Sequence, residues 1–266
     1  MALTKEIEAE DPAEAAVADR WANTIVGATF ESPHSLRKLC IDQGELSATQ
    51  ELAVEQQRFK IRLANTEDRR GSASLLIQKM YSWRGYETAA VLEGQPNRIT
   101  LVAVANEQSI GTLTLGFDSP IGLLVDELYR EDINRLRFER RKVCEFTKLA
   151  VDERIRSKRV LASLFHIAFV YAHNIHRCQD IVIEINPRHV RFYERMLGFQ
   201  RFGEEKMCAR VNAPAVLLRL DLDHAREQID LFGGQMERAI HERSLYPYFF
   251  SKNDEDGITQ RLMRPN

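Results

Sequence analysis

Four cationic side chains, Arg154, Arg156, Lys158 and Arg159, cluster at the expected start of a long helix. The aligned peptide dipoles make that end of a helix positive, so each cation there costs roughly 0.3–1 kcal/mol at an exposed site. A sequence selected for stability alone would place acids in such a turn. The cluster suits a turn that binds a multiply charged anion, held jointly by backbone N–H groups and basic side chains. Phe146–Val151 reads as a strand leading straight into it, which is the strand–turn–helix geometry of a pyrophosphate or phosphopantetheine cradle. A solvated basic patch and a docking surface for an acidic partner are the other two readings.

Glu145 is the second residue with chemistry to offer. In the strand from Cys144 to Val151, one face carries Glu145, Thr147, Leu149 and Val151, and the other Cys144, Phe146, Lys148 and Ala150. Both faces are largely apolar, which predicts a central strand, where a carboxylate and an ammonium are costly. Burial raises a carboxyl's pKa and suits it to general-base work. An amine with a pKa near ~8 is mostly protonated at neutral pH, so its attack on a thioester needs a proton acceptor. A Glu145–Lys148 contact, or a strand-end charge reaching water, is the plainer reading.

Other candidates carry less. His166, His173, His176 and Cys178 lack a carboxylate or second thiolate at ligand spacing, so no metal site is expected. Cys144 has no histidine placed to activate it and reads as a buried thiol. Arg135, Arg137, Arg140, Arg141 and Lys142 read as a solvated helix face that widens a landing surface for an acidic partner. The aromatic run Tyr246–Phe250 is expected to dock on the core, with a cover over an apolar tunnel or a membrane contact as alternatives.

The elements that must position these residues follow from periodicity. Phe59–Leu63 alternates as a strand, and a helix follows with Leu75, Leu76, Lys79, Met80 and Trp83 at spacings of three and four. Ile99–Ala105 and Ile110–Phe117 flank a polar turn, Asn106–Ser109, as a hairpin. A helix over Val125–Arg140, a strand over Val143–Val151 and a long helix from Ser157 to His176 come next. Ile181–Ile185 is β-branched and short enough to be a buried strand. Val190–Leu197 is a helix closed by Gly198. Phe199–Phe202 and Val216–Leu222 supply the last strands. The order predicts a mixed sheet with helices on both faces, over residues 56–223. Residues 1–55 read as an extension with helical stretches such as Thr49–Arg58, and 224–266 as a helical, then irregular, tail packing on the core.

Composition sets the class. The chain has 266 residues, 44% of them hydrophobic and 29% charged, with a net charge of −2. That supports one core with extensions and excludes a global basic footprint for nucleic acid. Four scattered cysteines form no C-x-x-C pair and suit a reducing compartment. The acidic N-terminus is no signal peptide, and no run approaches the ~18 apolar residues that span a bilayer, so a cytoplasmic protein is expected.

Three segments bring in a resemblance. Val151–Leu161 resembles the V-x-P-x-Y-R-G-x-G-I-G turn of the GNAT acyltransferase superfamily. Ile183–Phe199, with Asn-Pro-Arg-His followed by Phe192 and Tyr193, and Arg210–Leu218, with Val-Asn-Ala-Pro-Ala-Val-Leu-Leu, are more specific. Together they resemble the FeeM-type long-chain N-acyl amino acid synthases, relatives of the acyl-homoserine-lactone autoinducer synthases, from about Gly111 to Asp221. Glu145-Phe146-Thr147-Lys148 parallels the E-x-S-R strand of the latter.

The resemblance implies an α/β (α+β), GNAT-like fold whose sheet splays between the strands Val143–Val151 and Ile181–Ile185. It implies an acyl-phosphopantetheine co-substrate, carried by acyl carrier protein or CoA, an amino-acid acceptor, and no tightly bound cofactor. Glu145 is then the base and Tyr193 the acid that protonates the departing thiolate. Leu149, Val151, Arg156, Ser157, Lys158, Arg159 and Val160 hold the donor; Thr147, Lys148, Asn186, Arg188 and His189 face the acceptor. Ser157, Arg159 and Leu161 stand where superfamily members carry glycines, which favours a carrier's single phosphate over the CoA pyrophosphate. An amphiphilic product would add a peripheral membrane contact. An autoinducer synthase is the rival within the class, and a non-catalytic acyl-carrier or lipid-binding module the rival outside it.

Overall fold

The computed structural model describes residues 24–31, 56–82, 96–155 and 157–264. Among the described residues nine strands form one sheet: β1 (Thr24–Glu31), β2 (Gln56–Leu63), β3 (Arg98–Ala105), β4 (Gln108–Phe117), β5 (Val143–Val151), β6 (Asp180–Ile185), β7 (Gln200–Arg201), β8 (Lys206–Cys208) and β9 (Ala213–Asp221). Their order is β1-β2-β3-β4-β5-β6-β9-β7, with β8 also on β9. The β5–β6 pair is parallel and all the others are antiparallel.

The helices are α1 (Glu67–Ser82), α2 (Asp126–Phe138), α3 (Lys158–Phe169), α4 (Val190–Leu197), α5 (Leu222–Phe232) and α6 (Lys252–Met263). One face of the sheet packs on α3, α5 and the aromatic segment before α6, and this layer holds the main core. The opposite face carries α1 over Val102 and Ala150 and, further along, α2 over Val143, Val182 and Leu217. Apolar side chains on both faces of β5 and β6 follow from this sandwiching.

Local chemistry explains several joints. Asn106 and Glu107 both take positive φ (49° and 60°), the geometry of the tight β3–β4 hairpin. Gly198 ends α4 at φ 79°, as its position past the last apolar residue predicts. The long helix expected to His176 keeps its direction but widens into a π-helical turn over Val170–Ile175, where the His176 N–H reaches back to the Tyr171 carbonyl.

Three expectations are corrected. Within the N-terminal extension the described residues form a strand, β1, hydrogen-bonded along β2, and Gln56–Arg58 belong to β2 rather than to a helix. Pairing with β1 outweighs local helical preference there; residues 49–55 lie outside the described residues. A short strand, β8, stands where no element was expected. The tail ends in a regular helix, α6, capped by the Ser251 hydroxyl, and Arg261 ties it to the Ile25 carbonyl of β1 at 2.6 Å.

Candidate active site

The sheet comes apart at its centre. β5 and β6 are in register from Val143–Asp180 to Phe146–Ile183 and no further, although β5 runs on to Val151 and β6 to Ile185. Beyond Phe146, the edge of β5 that faces β6 has lost its ladder partner. A bulge lies in β5 beside the opening. Thr112 pairs with Ala150 and Thr114 with Thr147, so β5 carries one residue more than β4, and Lys148 takes φ 51°. The Thr112 hydroxyl donates to the Lys148 carbonyl at 2.8 Å and fixes the bulge.

A cavity of about 770 Å³ fills this opening and reaches both faces of the sheet. That volume lies within the range of small-molecule sites. On the α3 side its walls are apolar, with Phe146, Leu161, Phe165 and Tyr193, whose ring meets Phe165 and Phe199 edge-on. On the α1–α2 side they are mixed, with Ile77, Tyr81, Leu124 and Val125 beside Arg98, Thr147, Glu184 and Arg210.

Glu145 stands one layer behind this wall. It is fully buried, and its carboxylate accepts hydrogen bonds from the backbone N–H of Leu124 (2.9 Å) and Val125 (3.0 Å), with Arg98 Nη2 at 3.7 Å. Burial pushes its carboxyl above the ordinary value, and the two N–H donors and Arg98 pull the other way. Gly116 makes room for it: a β-carbon there would sit 2.8 Å from Oε1. The carboxylate therefore pins the start of α2 against the sheet.

The expected donor-binding residues divide. Leu149 and Val151 line the cavity, and Val151 and Leu161 bracket the turn before α3 at its rim. Ser157 caps α3, its hydroxyl accepting from the Val160 N–H. Lys158 is exposed beside the Tyr248 ring. Arg156 lies outside the described side chains. Two of the four clustered cations are engaged within the chain. Arg154 turns back onto Asp152 (2.8 Å), holding that carboxyl well below the usual range. Arg159 donates to the Tyr248 carbonyl (3.0 Å) and lies over Phe250, and burial lowers its pKa. It anchors the C-terminal segment.

Of the acceptor-side residues, Thr147, Lys148 and His189 line the cavity. Asn186 instead caps the 3-10 turn Pro187–His189, and exposed Arg188 donates from Nε to His189 Nε2 at 3.1 Å. The basic run divides: Arg135, Arg140 and Lys142 are exposed, whereas Arg137, within α2, clamps Asp118 and Asp126, and Arg141 binds Asp180 and Asp221. His166 pairs with Glu255, and Tyr246, Phe249 and Phe250 are buried on the core. Among the described residues no cluster of three metal-ligating side chains occurs, and no helix is long and apolar enough to cross a membrane.

Arg98, Glu184 and Arg210 were not expected at the site. A glutamate inside the β-branched run Ile181–Ile185 was the available signal, since a carboxylate in a buried strand needs a reason.

The solved structure of FeeM, an N-acyl amino acid synthase from uncultured soil microbes, is similar, with 28% identity and a TM-score of 0.60 over 64% of this chain and 95% of that one. An acyl-CoA N-acyltransferase from Pseudomonas aeruginosa (14% identity, TM-score 0.45, 60% and 97% covered) and the AHL synthase LasI (11%, 0.42, 62% and 91%) also match. Among curated proteins none matches. The model of the family described as N-acyl amino acid synthase FeeM matches residues 72–221, more than half of the chain. The chain thus belongs to the FeeM family of N-acyl amino acid synthases and is an N-acyltransferase.

Proposed function

We propose that the chain transfers a long-chain acyl group from the phosphopantetheine thioester of an acyl carrier protein to the amino group of an amino acid. The observation that carries this is the parting of β5 and β6 over a cavity with one apolar and one charged side. The free edge of β5 offers peptide groups to the amides of a pantetheine arm, as a neighbouring strand would. The acyl chain lies among Phe146, Leu161 and Phe165. The phosphate meets the Ser157–Val160 turn, with Lys158 beside it.

Backbone N–H groups near Leu149–Val151 stabilise the tetrahedral oxyanion; preorganised donors of this kind contribute roughly 3–4 kcal/mol each. Tyr193 protonates the departing thiolate. Glu145 acts from behind the wall as a positioning residue that holds Leu124, Val125 and Arg98 in place. The carrier is favoured over CoA because Ser157, Arg159 and Leu161 fill space that glycines would leave open for a pyrophosphate.

Mass spectrometry of lipid extracts from cells expressing the chain tests the reading. N-acyl amino acids absent from the empty host are the expected product; acyl lactones would move the chain to autoinducer chemistry, and neither would end the proposal. With purified protein, acyl-carrier donors are expected to outperform acyl-CoA at equal concentration.

A further inference from the structure

An amino-acid acceptor brings an ammonium and a carboxylate into one cavity, and each needs an opposite partner once water is displaced. Three buried polar atoms on the cavity wall find no hydrogen-bond partner among the described residues: Arg98 Nε, Thr147 Oγ1 and Glu184 Oε2. Buried polar atoms are satisfied in the large majority of cases, so three orphans on one wall mark where a polar ligand belongs.

Their placement on the sheet makes them neighbours. Glu145 and Thr147 share one face of β5, and Val182 and Glu184 share the same face of β6, that of α2. Arg98, from β3, reaches across β4 to within 3.7 Å of Glu145. β6 flanks β5, and Thr147 and Glu184 come directly after the last paired residues, Phe146 and Ile183. The Arg98, Thr147 and Glu184 side chains thus all line the one cavity at the split.

Glu184 is also prepared. Arg210 binds its Oε1 at 2.7 Å and is itself held by Glu127 of α2 at 3.1 Å, which fixes the carboxylate and leaves Oε2 without a partner among the described residues. Tyr129 of α2 donates its hydroxyl to the Ala215 carbonyl, and Lys148 and His189 also line the cavity.

We infer that Glu184 accepts the proton of the acceptor's ammonium while Arg98 binds its carboxylate. The assignment rests on the acyl transfer proposed above. The ammonium loses one proton to Glu184, and from there to solvent. The freed lone pair attacks the thioester carbon and the C–N bond forms. A second proton leaves nitrogen for Glu184 as the C–S bond breaks, and Tyr193 protonates the thiolate. One proton returns to Tyr193 through solvent and one is released.

The test uses the full chain, an acyl-carrier donor, and two acceptor mixtures: the twenty proteinogenic amino acids, or their carboxamides. Wild type is expected to acylate the acids at least tenfold faster than the amides. Arg98→Gln should lose that preference, and Arg98→Lys should keep part of it. Glu184→Gln should lower kcat about a hundredfold, leave the donor's KM unchanged, and make the rate climb with pH in step with the free amine; Glu184→Asp should recover part of it. An unchanged donor KM shows that the variants fold. An acid preference that survives in Arg98→Gln, wild type equally active on amides, or Glu184→Gln within threefold of wild type overturns the inference and leaves the acyl transfer standing. A wild type that acylates neither mixture overturns both.

Discussion

Three carboxylate-bearing or phenolic residues in and behind the cavity wall can be separated by substitution. Tyr193→Phe removes the proton for the thiolate but keeps the ring against Phe165 and Phe199. We expect kcat to fall about a hundredfold with little change in melting temperature, checked by thiol release under saturating donor. Glu145→Gln acts differently. The carboxylate accepts from two backbone N–H groups, and an amide must turn an NH2 toward one of them, so stability should drop by about 1–3 kcal/mol. Urea unfolding measures that loss, with kcat reduced less than by Glu184→Gln. At this scale the sequence was legible in residue type and ambiguous in role. Glu145 is visible as a charge in an apolar strand, but strand alternation cannot say whether Leu124 and Val125, 21 and 20 positions away, will occupy both oxygens. The cations before α3 looked unopposed for a similar reason. The partners of Arg159 lie at Tyr248 and Phe250, far along the chain, and the acid that holds Arg154 is its neighbour Asp152.

Between elements, the joint of α3 with α6 is built on one histidine. His166 Nδ1 accepts the Phe250 N–H at 2.9 Å, so that nitrogen carries no proton, and Nε2 donates to Glu255 at 3.1 Å. Only the neutral ring can make both bonds. Burial, first, and the Arg226 and Arg159 charges hold its pKa below 6.5, against the pull of Glu255. The unfolded chain therefore takes up this proton as pH drops through 6.5 while the folded chain refuses it, and stability falls. Glu255, bound by His166, Arg226 and Asn174, is held well below 4.5, so its contribution is present above that value and lost below it. Both work in one direction, whereas Glu145, raised above 4.5, opposes them. We predict that proteolysis within residues 245–264 accelerates between pH 7 and pH 5, and that His166→Gln starts faster and flattens this rise. The periodicity of α3, β5, β6 and α4 was readable almost to the residue, because buried helices and strands are written in local pattern. The joint was not, since its partners are 84 and 89 positions apart.

For the molecule as a whole, the central sheet and its split were legible, while the two edges were not. β5 and β6 announce themselves as apolar runs, and the turn between β5 and α3 carries the family's pattern. β1 has Thr, Gly and Glu among its apolar residues and gains its identity from pairing with β2. The tail reads as irregular because 3-10 turns and a helix rich in charge hold its few anchors. Those anchors nevertheless bear on the entire fold. Leu245, Tyr246, Phe249, Phe250 and Ile258 are each at most 5% exposed, and they cover α3, the helix that also forms the cavity's apolar side. Burying each such side chain stabilises by roughly 1.5–3 kcal/mol, so the five together approach the ~5–15 kcal/mol net stability of an ordinary domain. A chain ending at Ser244 should therefore fail to fold rather than lose an appendage. Circular dichroism and urea titration of the truncated protein would show no cooperative transition. A cooperative transition close to wild type, with activity retained, would mean that α3 is held by the sheet alone and that the segment is a detachable cover.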